Sequence, residues 1–349
     1  MFKMSKNILL FILCFVFFVS PGYSRKLRVV TTLSDYAYFT KMIGKDKVSV
    51  FGIVRGDQDA HFIRPKPSFS RKIQKCDVLV ATGLDLELWL PAVVNKSGNN
   101  KVRSGMPGYI AASQGIQLLE KPEALSRIEG GLHKEGNPHL TCSPLNMKKA
   151  AGNIAIGLSN NDPDNRKFYM KNLKMIENKI DVKMFGKKLV KILGGDVLTE
   201  LTLQGKLFHF LESNKLDGKK MIDFMGGWTK KLLPLRGKEI VSYHKNWIYF
   251  FQIFGMIEAG TVEPKPGIPP TPRHFSELIK MMKKKKIKLI IAANYFDRSK
   301  VLMLAGKTEA KAVMLPIYVK GESGIDSYFD LVDYWVNSIS KAFLSNKRG

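Results

Sequence analysis

Six histidines are spread over the 349 residues, and three of them share a setting. His61 stands in GDQDAHFIRPKPS, His139 in GNPHLTCSP, and His244 closes KEIVSYH. Each falls near the carboxyl end of an expected strand or in a loop stiffened by proline. Open α/β sheets bind ligands outside those carboxyl ends. A loop that prolines have already frozen presents its imidazole without a later ordering cost. Neutral imidazole is a nitrogen donor suited to zinc, copper, iron and nickel, so three of them in one setting point to a bound transition metal. His209 lies between Phe208 and Phe210 and reads as a core or boundary residue, and His274 reads as a helix-start residue. His133, in GGLHKEGNPH, is an accessory candidate that its own loop would carry to the site. Cys142, three residues beyond His139, reads as a small buried or disulfide-linked cysteine rather than a sulfur ligand.

The elements that must hold these side chains alternate between apolar runs and helical patterns, as in parallel-sheet α/β construction. Strands are expected over 27–31, 48–54, 77–82, 238–242 and 287–293. Helices are expected from Ser34 or Asp35, over 68–75, over 86–94 with a kink at Pro91, over 205–213, through 250–254, up to Lys285, and over 328–343. Residues 95–140, rich in Gly, Asn, Ser and Lys, read mostly as loop. In mid-chain, Asp162 and Pro163 form a helix-start pair. From there Tyr169, Leu173, Ile176, Ile180, Phe185, Leu189 and Ile192 keep a three-to-four spacing up to Gly194-Gly195. About thirty helical residues would form a rod of roughly 45 Å, long enough to join two lobes. The division expected is a leader over 1–24, an N-terminal α/β lobe over 25–160, a linking helix over 161–194 and a C-terminal α/β lobe over 195–349, each lobe built on a mainly parallel sheet.

The leader MFKMSKNILLFILCFVFFVSPGYS has lysines, then an apolar run, then Gly22-Tyr23-Ser24, the pattern of a cleaved secretory signal peptide. Cys14 follows Ile12 and Leu13, not the small residue that lipidation would need, so an unlipidated, exported protein is expected. The formal net charge is +26, with the densest cluster in KMMKKKKIKLII. That cluster has no interleaved aromatics and no recognition motif, so nucleic acid is not an expected partner. Cys76 and Cys142, the cysteines beyond the leader, could pair but make no disulfide framework.

Taken in order, the leader, DAHFIRPKPS, GNPHLTCSPLN, the long helix, SYHKNWIYFFQIFG, VEPKPGIPPTP and a closing strand–helix resemble the zinc/manganese-binding receptors of bacterial ABC importers. The resemblance spans nearly all of the chain after the leader. It implies two α/β lobes joined by a rigid helix, one metal in the cleft, and His61, His139 and His244 as its imidazole ligands. It also implies a permease in the cytoplasmic membrane as partner, a periplasmic location, and no enzymatic activity; a monomer is expected. The chain departs from the family's usual pattern at Ala60, at Arg64 and at Thr141-Cys142-Ser143, and it lacks the carboxylate often supplied just ahead of the last helix. Glu322, Asp326 or Glu263 could stand in as fourth ligand, or water could. A nitrogen-rich site favours Zn2+ over Mn2+ as the ligand carried. The competing readings are a metal-containing, adhesin-like surface protein and a zinc hydrolase, but no HExxH helix, nucleophile elbow or phosphate loop supports the latter.

Overall fold

The computed structural model describes residues 25–121, 134–263 and 267–345. Its first half carries β1 (Leu27–Thr31), α1 (Ser34–Gly44), β2 (Val48–Gly52), α2 (Pro67–Gln74), β3 (Val78–Ala81), α3 (Leu90–Ser97), β4 (Tyr109–Ala111) and α4 (Pro144–Asn161). The middle is helical: α5 (Arg166–Phe185), α6 (Lys187–Leu193), α7 (Gly195–Leu203) and α8 (Leu207–Ser213). After a small hairpin, β5 (Lys215–Leu216) and β6 (Lys219–Lys220), come α9 (Gly227–Leu232), β7 (Glu239–Ser242), α10 (Ile248–Phe254) and β8 (Ile257–Thr261). The chain closes with α11 (Pro272–Lys285), β9 (Leu289–Ala293), α12 (Arg298–Thr308), β10 (Lys311–Leu315) and α13 (Tyr328–Ser345).

Two four-stranded parallel sheets result, ordered β2-β1-β3-β4 and β10-β9-β7-β8. β3 (VLVA) and β9 (LIIAA) are buried along their whole length. Parallel strands are covered by helices on both faces, which is why they read as unbroken apolar runs. The protein is thus a two-lobed α/β structure whose lobes α5 joins.

That joining helix is shorter than the rod expected from the spacing. A 3-10 turn over Pro163–Asn165 precedes α5, and Asp162 does not cap it. α5 has 20 residues and ends at Gly186, whose φ is 84°. At 1.5 Å per residue the helix spans about 30 Å. A side chain at Gly186 would meet the backbone of Gly226, its added Cβ lying 2.7 Å from the Gly226 Cα, so glycine there both ends the helix and lets α9 approach. The apolar spacing continued past residue 186 because α6 resumes on the same buried side through Leu189.

Other expectations move by a turn or more. α3 begins at Leu90, so Pro91 sits in its first turn, where a missing N–H costs nothing, and does not kink it. The stretch 95–140 contains β4, and α4 was not anticipated. His209 is exposed rather than in the core. Cys76 and Cys142 are both buried and free.

The largest buried cluster runs continuously through both lobes. Trp335 of α13 lies edge-on to Trp247, with centroids 5.2 Å apart, and donates its indole N–H to the Pro316 carbonyl at 2.6 Å. Neighbouring Tyr328 crosses to the first lobe and donates its hydroxyl to the Thr141 carbonyl, 2.6 Å away. At a second crossing, Ser34 donates to the Val319 carbonyl and Asp35 accepts from the Val319 N–H. Gly56 fits against that same peptide, because an added Cβ would lie 2.3 Å from the Val319 oxygen. Hydrogen bonds to backbone groups therefore tie the lobes together at two crossings.

Asp35 is wholly buried, and desolvation pushes its carboxyl from 3.8 to about 8 against the opposing Val319 hydrogen bond. The folded chain keeps a proton there that the unfolded chain releases near pH 4, so this contribution to stability is full below that and is lost as pH rises to about 8. Asp35→Asn retains an acceptor for Val319 but cannot ionise. Urea unfolding from pH 4 to 8 should show a shallower loss of stability in the variant than in the parent, and parallel curves would contradict this assignment.

Candidate metal centre

His61, His139 and His244 come together where the lobes face each other. One ring nitrogen of each belongs to a set whose members all lie within 4.8 Å of one another. His139 and His244 are buried, and His61 is partly so. The ring centroids are 5.1 Å apart for His61 and His139, 5.8 Å for His61 and His244, and 5.2 Å for His139 and His244. Nε2 of His139 is 3.3 Å from Nε2 of His244.

Local structure explains each placement. His61 sits in a 3-10 turn, Ala60–Phe62, that Asp59 caps by accepting from the His61 N–H. Trp89 donates to the Ala60 carbonyl and so pins that turn to the first lobe. His139 precedes a second 3-10 turn, Leu140–Cys142, and its N–H is held by Asn137 Oδ1 at 2.9 Å. His244 comes two residues after β7, at the carboxyl edge of its sheet.

On each ring, Nδ1 is engaged away from the cluster. His61 Nδ1 is 2.8 Å from Asp59 Oδ1, and His244 Nδ1 is 3.0 Å from Glu263 Oε2, although that second contact lacks hydrogen-bond alignment. Nδ1 of His139 faces the Asn246 amide at 3.2 Å. Nε2 of His139 and Nε2 of His244 thereby face each other. An outer ring of this kind fixes the direction of metal-ligating histidines. Burial alone would raise the Asp59 carboxyl, but the hydrogen bond and charge of His61 outweigh it and hold the group below its ordinary range.

The remaining candidates do not join the three imidazoles. Glu263 lies behind His244 and accepts from the Gly267 N–H at 2.7 Å with its other oxygen. Glu322 and Asp326 are exposed, and Glu322 is engaged with Tyr334. His133 lies outside the described residues. His274 is a helix-start residue whose Nε2 is 2.9 Å from the Thr261 carbonyl oxygen. Cys142 is fully buried, and its desolvation pushes the thiol well above the range of a reactive or ligating one.

Sequence reasoning missed Asn246 and Tyr295. Asn246 is entirely buried and Tyr295 stands 3.4 Å from its amide nitrogen. Burial, followed by the neighbouring charges of Asp59 and Cys142, keeps the Tyr295 phenol neutral far beyond its ordinary range. The available signal was slight: Asn246 is a polar residue inside the aromatic run that follows His244.

Asn137 ties the two sides together. It holds the His139 N–H, donates to the Lys245 carbonyl at 2.8 Å and to Glu120 at 2.9 Å, and its own carbonyl accepts from Tyr249 at 2.6 Å.

The family model described as "Zinc-uptake complex component A periplasmic" matches residues 29–183 and 219–342. The manganese ABC transporter substrate-binding lipoprotein PsaA of Streptococcus mitis is 26% identical over 328 residues, covering 91% of this chain and 89% of its own. The corresponding lipoprotein scaA of Streptococcus gordonii is 28% identical over 329 residues, with the same coverage. The metal ABC transporter lipoprotein FimA of Streptococcus parasanguinis is 27% identical over 336 residues, 92% of this chain and 91% of its own. Among solved structures, ZnuA superposes with a TM-score of 0.66 at 21% identity, over 91% of this chain and 99% of that one. The manganese-bound periplasmic metal-binding protein of Candidatus Liberibacter asiaticus gives 0.63 at 20% identity, over 90% and 99%. These structural likenesses establish the fold.

The relatives also correct one expectation. Several carry the name lipoprotein, so the unlipidated, freely diffusing periplasmic protein expected from the leader does not stand, while an extracytoplasmic position agrees with them. The expectation had rested on the residues just before Cys14 alone. Tethering has a physical advantage for a protein whose partner lies in a membrane, because it raises the effective concentration of the pair.

Asn137→Ala strands the His139 N–H and the Lys245 carbonyl in a buried setting. Each group so stranded costs about 1–3 kcal/mol. Urea unfolding of the variant should reveal a loss of that order, and a change below about 0.5 kcal/mol, the ordinary scatter of surface substitutions, would refute the bridging role.

Proposed function

The chain belongs to the family of zinc-uptake complex component A proteins, the metal-binding receptors of ABC importers, and on that premise we propose that its cargo is zinc, held by His61, His139 and His244. It is a receptor and not an enzyme, and it works with a membrane permease. The convergence of three imidazoles carries the zinc reading. Nitrogen donors favour zinc, whereas manganese favours carboxylate, carbonyl and water oxygen. Several relatives are named for manganese, and in this chain no carboxylate among the described residues joins the three rings.

Water fills the fourth position in this proposal, completing the tetrahedral shell that zinc prefers. Two carboxylates, Asp59 and Glu263, stand behind His61 and His244 and match the double charge of the ion without touching it. An ion with three neutral ligands is stabilised in a buried site by such nearby opposite charge. Residues 25–160 and 195–349 are taken as the two lobes with 161–194 linking them, so two ligands come from the first lobe and one from the second. Docking on the permease then releases the ion by moving His244 away from His61 and His139. Glu263 moves with it.

Loss of an outer-ring partner alone typically weakens metal affinity by about 10–100-fold, so loss of a ligand should exceed that. Calorimetric titration of the metal-stripped protein should give one tight zinc site, weaker manganese binding, and a loss of about 100-fold or more in His61→Ala, His139→Ala and His244→Ala. Glu322→Ala and Asp326→Ala should bind zinc as the parent does. Zinc binding indifferent to the three histidines, or manganese preferred over zinc, would overturn the reading.

A further inference from the structure

We propose that the amino edge of the second sheet is a docking surface for anionic lipid headgroups, built on Lys238, Lys285, Lys286 and Lys288. β7, β8 and β9 run parallel, so Glu239, Ile257 and Leu289 begin their strands on one edge, and His244 follows β7 on the other. Along the amino edge lies a groove of about 430 Å³ whose walls include the four lysines with Ile257 and Phe343. Lys311 adds a fifth cation there, since its N–H donates to the Lys288 carbonyl at 2.9 Å. The four groove lysines are exposed. Acids beside them are Glu239, which Lys285 engages at 2.6 Å, and Glu309, which precedes β10. The inference goes beyond the receptor reading and needs no metal for its test.

Local structure accounts for only part of this charge. Lys283, Lys284 and Lys285 lie in the last turn of α11, where cations offset the helix dipole. Lys238 and Lys288 come from the separate approaches to β7 and β9, outside that turn. Lys286 follows α11 with a φ of 53°, in the left-handed region where a side chain is strained and glycine is not. The chain thus carries a cation at a position where the backbone favours a residue with no side chain.

The surface fits a layer of lipid phosphates better than a nucleic acid. Exposed aliphatic side chains flank the lysines: Ile257 in the groove, and Leu344 on the last turn of α13, next to Ser345, which accepts from Lys311 Nζ. Aliphatic groups set among cations enter the headgroup layer of a membrane. Single-stranded nucleic acid instead stacks on exposed aromatic rings, and Phe343, the aromatic of the groove, is buried. A receptor that works with a membrane permease has lipid within reach. A lobe resting on this edge turns its carboxyl edge, with His244, away from the lipid.

The test is cosedimentation of the metal-free protein, without its leader, with vesicles of mixed phosphatidylglycerol and phosphatidylcholine, beside vesicles of phosphatidylcholine alone. The parent should bind the anionic vesicles, ignore the neutral ones, and let go at high salt. A lysine near an anionic surface is worth about fivefold in partition, so a variant carrying Lys238→Gln, Lys286→Gln and Lys288→Gln should lose about a hundredfold. A control carrying Lys167→Gln, Lys171→Gln and Lys191→Gln removes the same charge from exposed positions on α5 and α6. It should lose less than about tenfold. Lys286→Gly, which removes one charge and relieves the positive φ, should bind about fivefold less with no loss of stability toward urea. Equal losses in the two triple variants, a groove variant that binds as the parent does, or a parent that ignores phosphatidylglycerol would overturn the proposal. So would a single-stranded DNA oligonucleotide that the parent prefers to vesicles of equal phosphate content and that the groove variant fails to bind, since nucleic acid would then be the occupant. Because no arm contains metal, the outcome stands apart from any failure of the zinc reading.

Discussion

Three imidazoles from three separate loops must turn their ring edges toward one point, and the cleft is organised around that condition. The rings would otherwise sample several orientations. Asp59, Asn246 and Glu263 each stand at an Nδ1. In the proposed site the ligand set is thus prepared by residues that would not touch the ion. Preparation of this kind lowers the ordering cost at binding, and binding strength depends on it as much as on the donors themselves.

The lobes exist to bring those loops to one point. Parallel sheets leave the carboxyl ends of their strands facing a common crevice, so β2 and β7 deliver His61 and His244 to nearby ends. His139 comes from a loop that Asn137 fastens to Lys245 of the other lobe and that Tyr328 grips through the Thr141 carbonyl. These contacts lie within one continuous buried cluster anchored by Trp335 and Trp247. A structure so connected favours small concerted movement of the lobes over independent loop motion, which suits an ion that must be held and then surrendered.

Much of this was legible in sequence, for reasons specific to particular residues. β1 and β9 stood out because strands buried on both faces are unbroken apolar runs. The three histidines stood out because they share a position relative to strands and prolines. α4 was missed although Ser143 and Pro144 mark its start, since the Asn- and Lys-rich sequence around it resembles loop. Gly186 was overlooked because Leu189 continues the apolar spacing beyond it, and spacing does not reveal a positive φ. Asn246 was invisible for another reason. Its role depends on meeting a histidine 107 residues away, and no local pattern encodes that meeting. Glu263 was expected as a possible fourth ligand, and only the folded geometry places its carboxylate against His244 Nδ1.

The central claim is that three imidazole nitrogens hold the ion with no protein carboxylate or sulfur among its neighbours. Zinc K-edge X-ray absorption of the stoichiometric complex measures this directly. The account predicts a four-coordinate shell with three nitrogen scatterers at about 2.0–2.1 Å, the multiple-scattering pattern of imidazole, and one further oxygen. A sulfur scatterer at about 2.3 Å, or a six-coordinate oxygen shell without imidazole scattering, would contradict it.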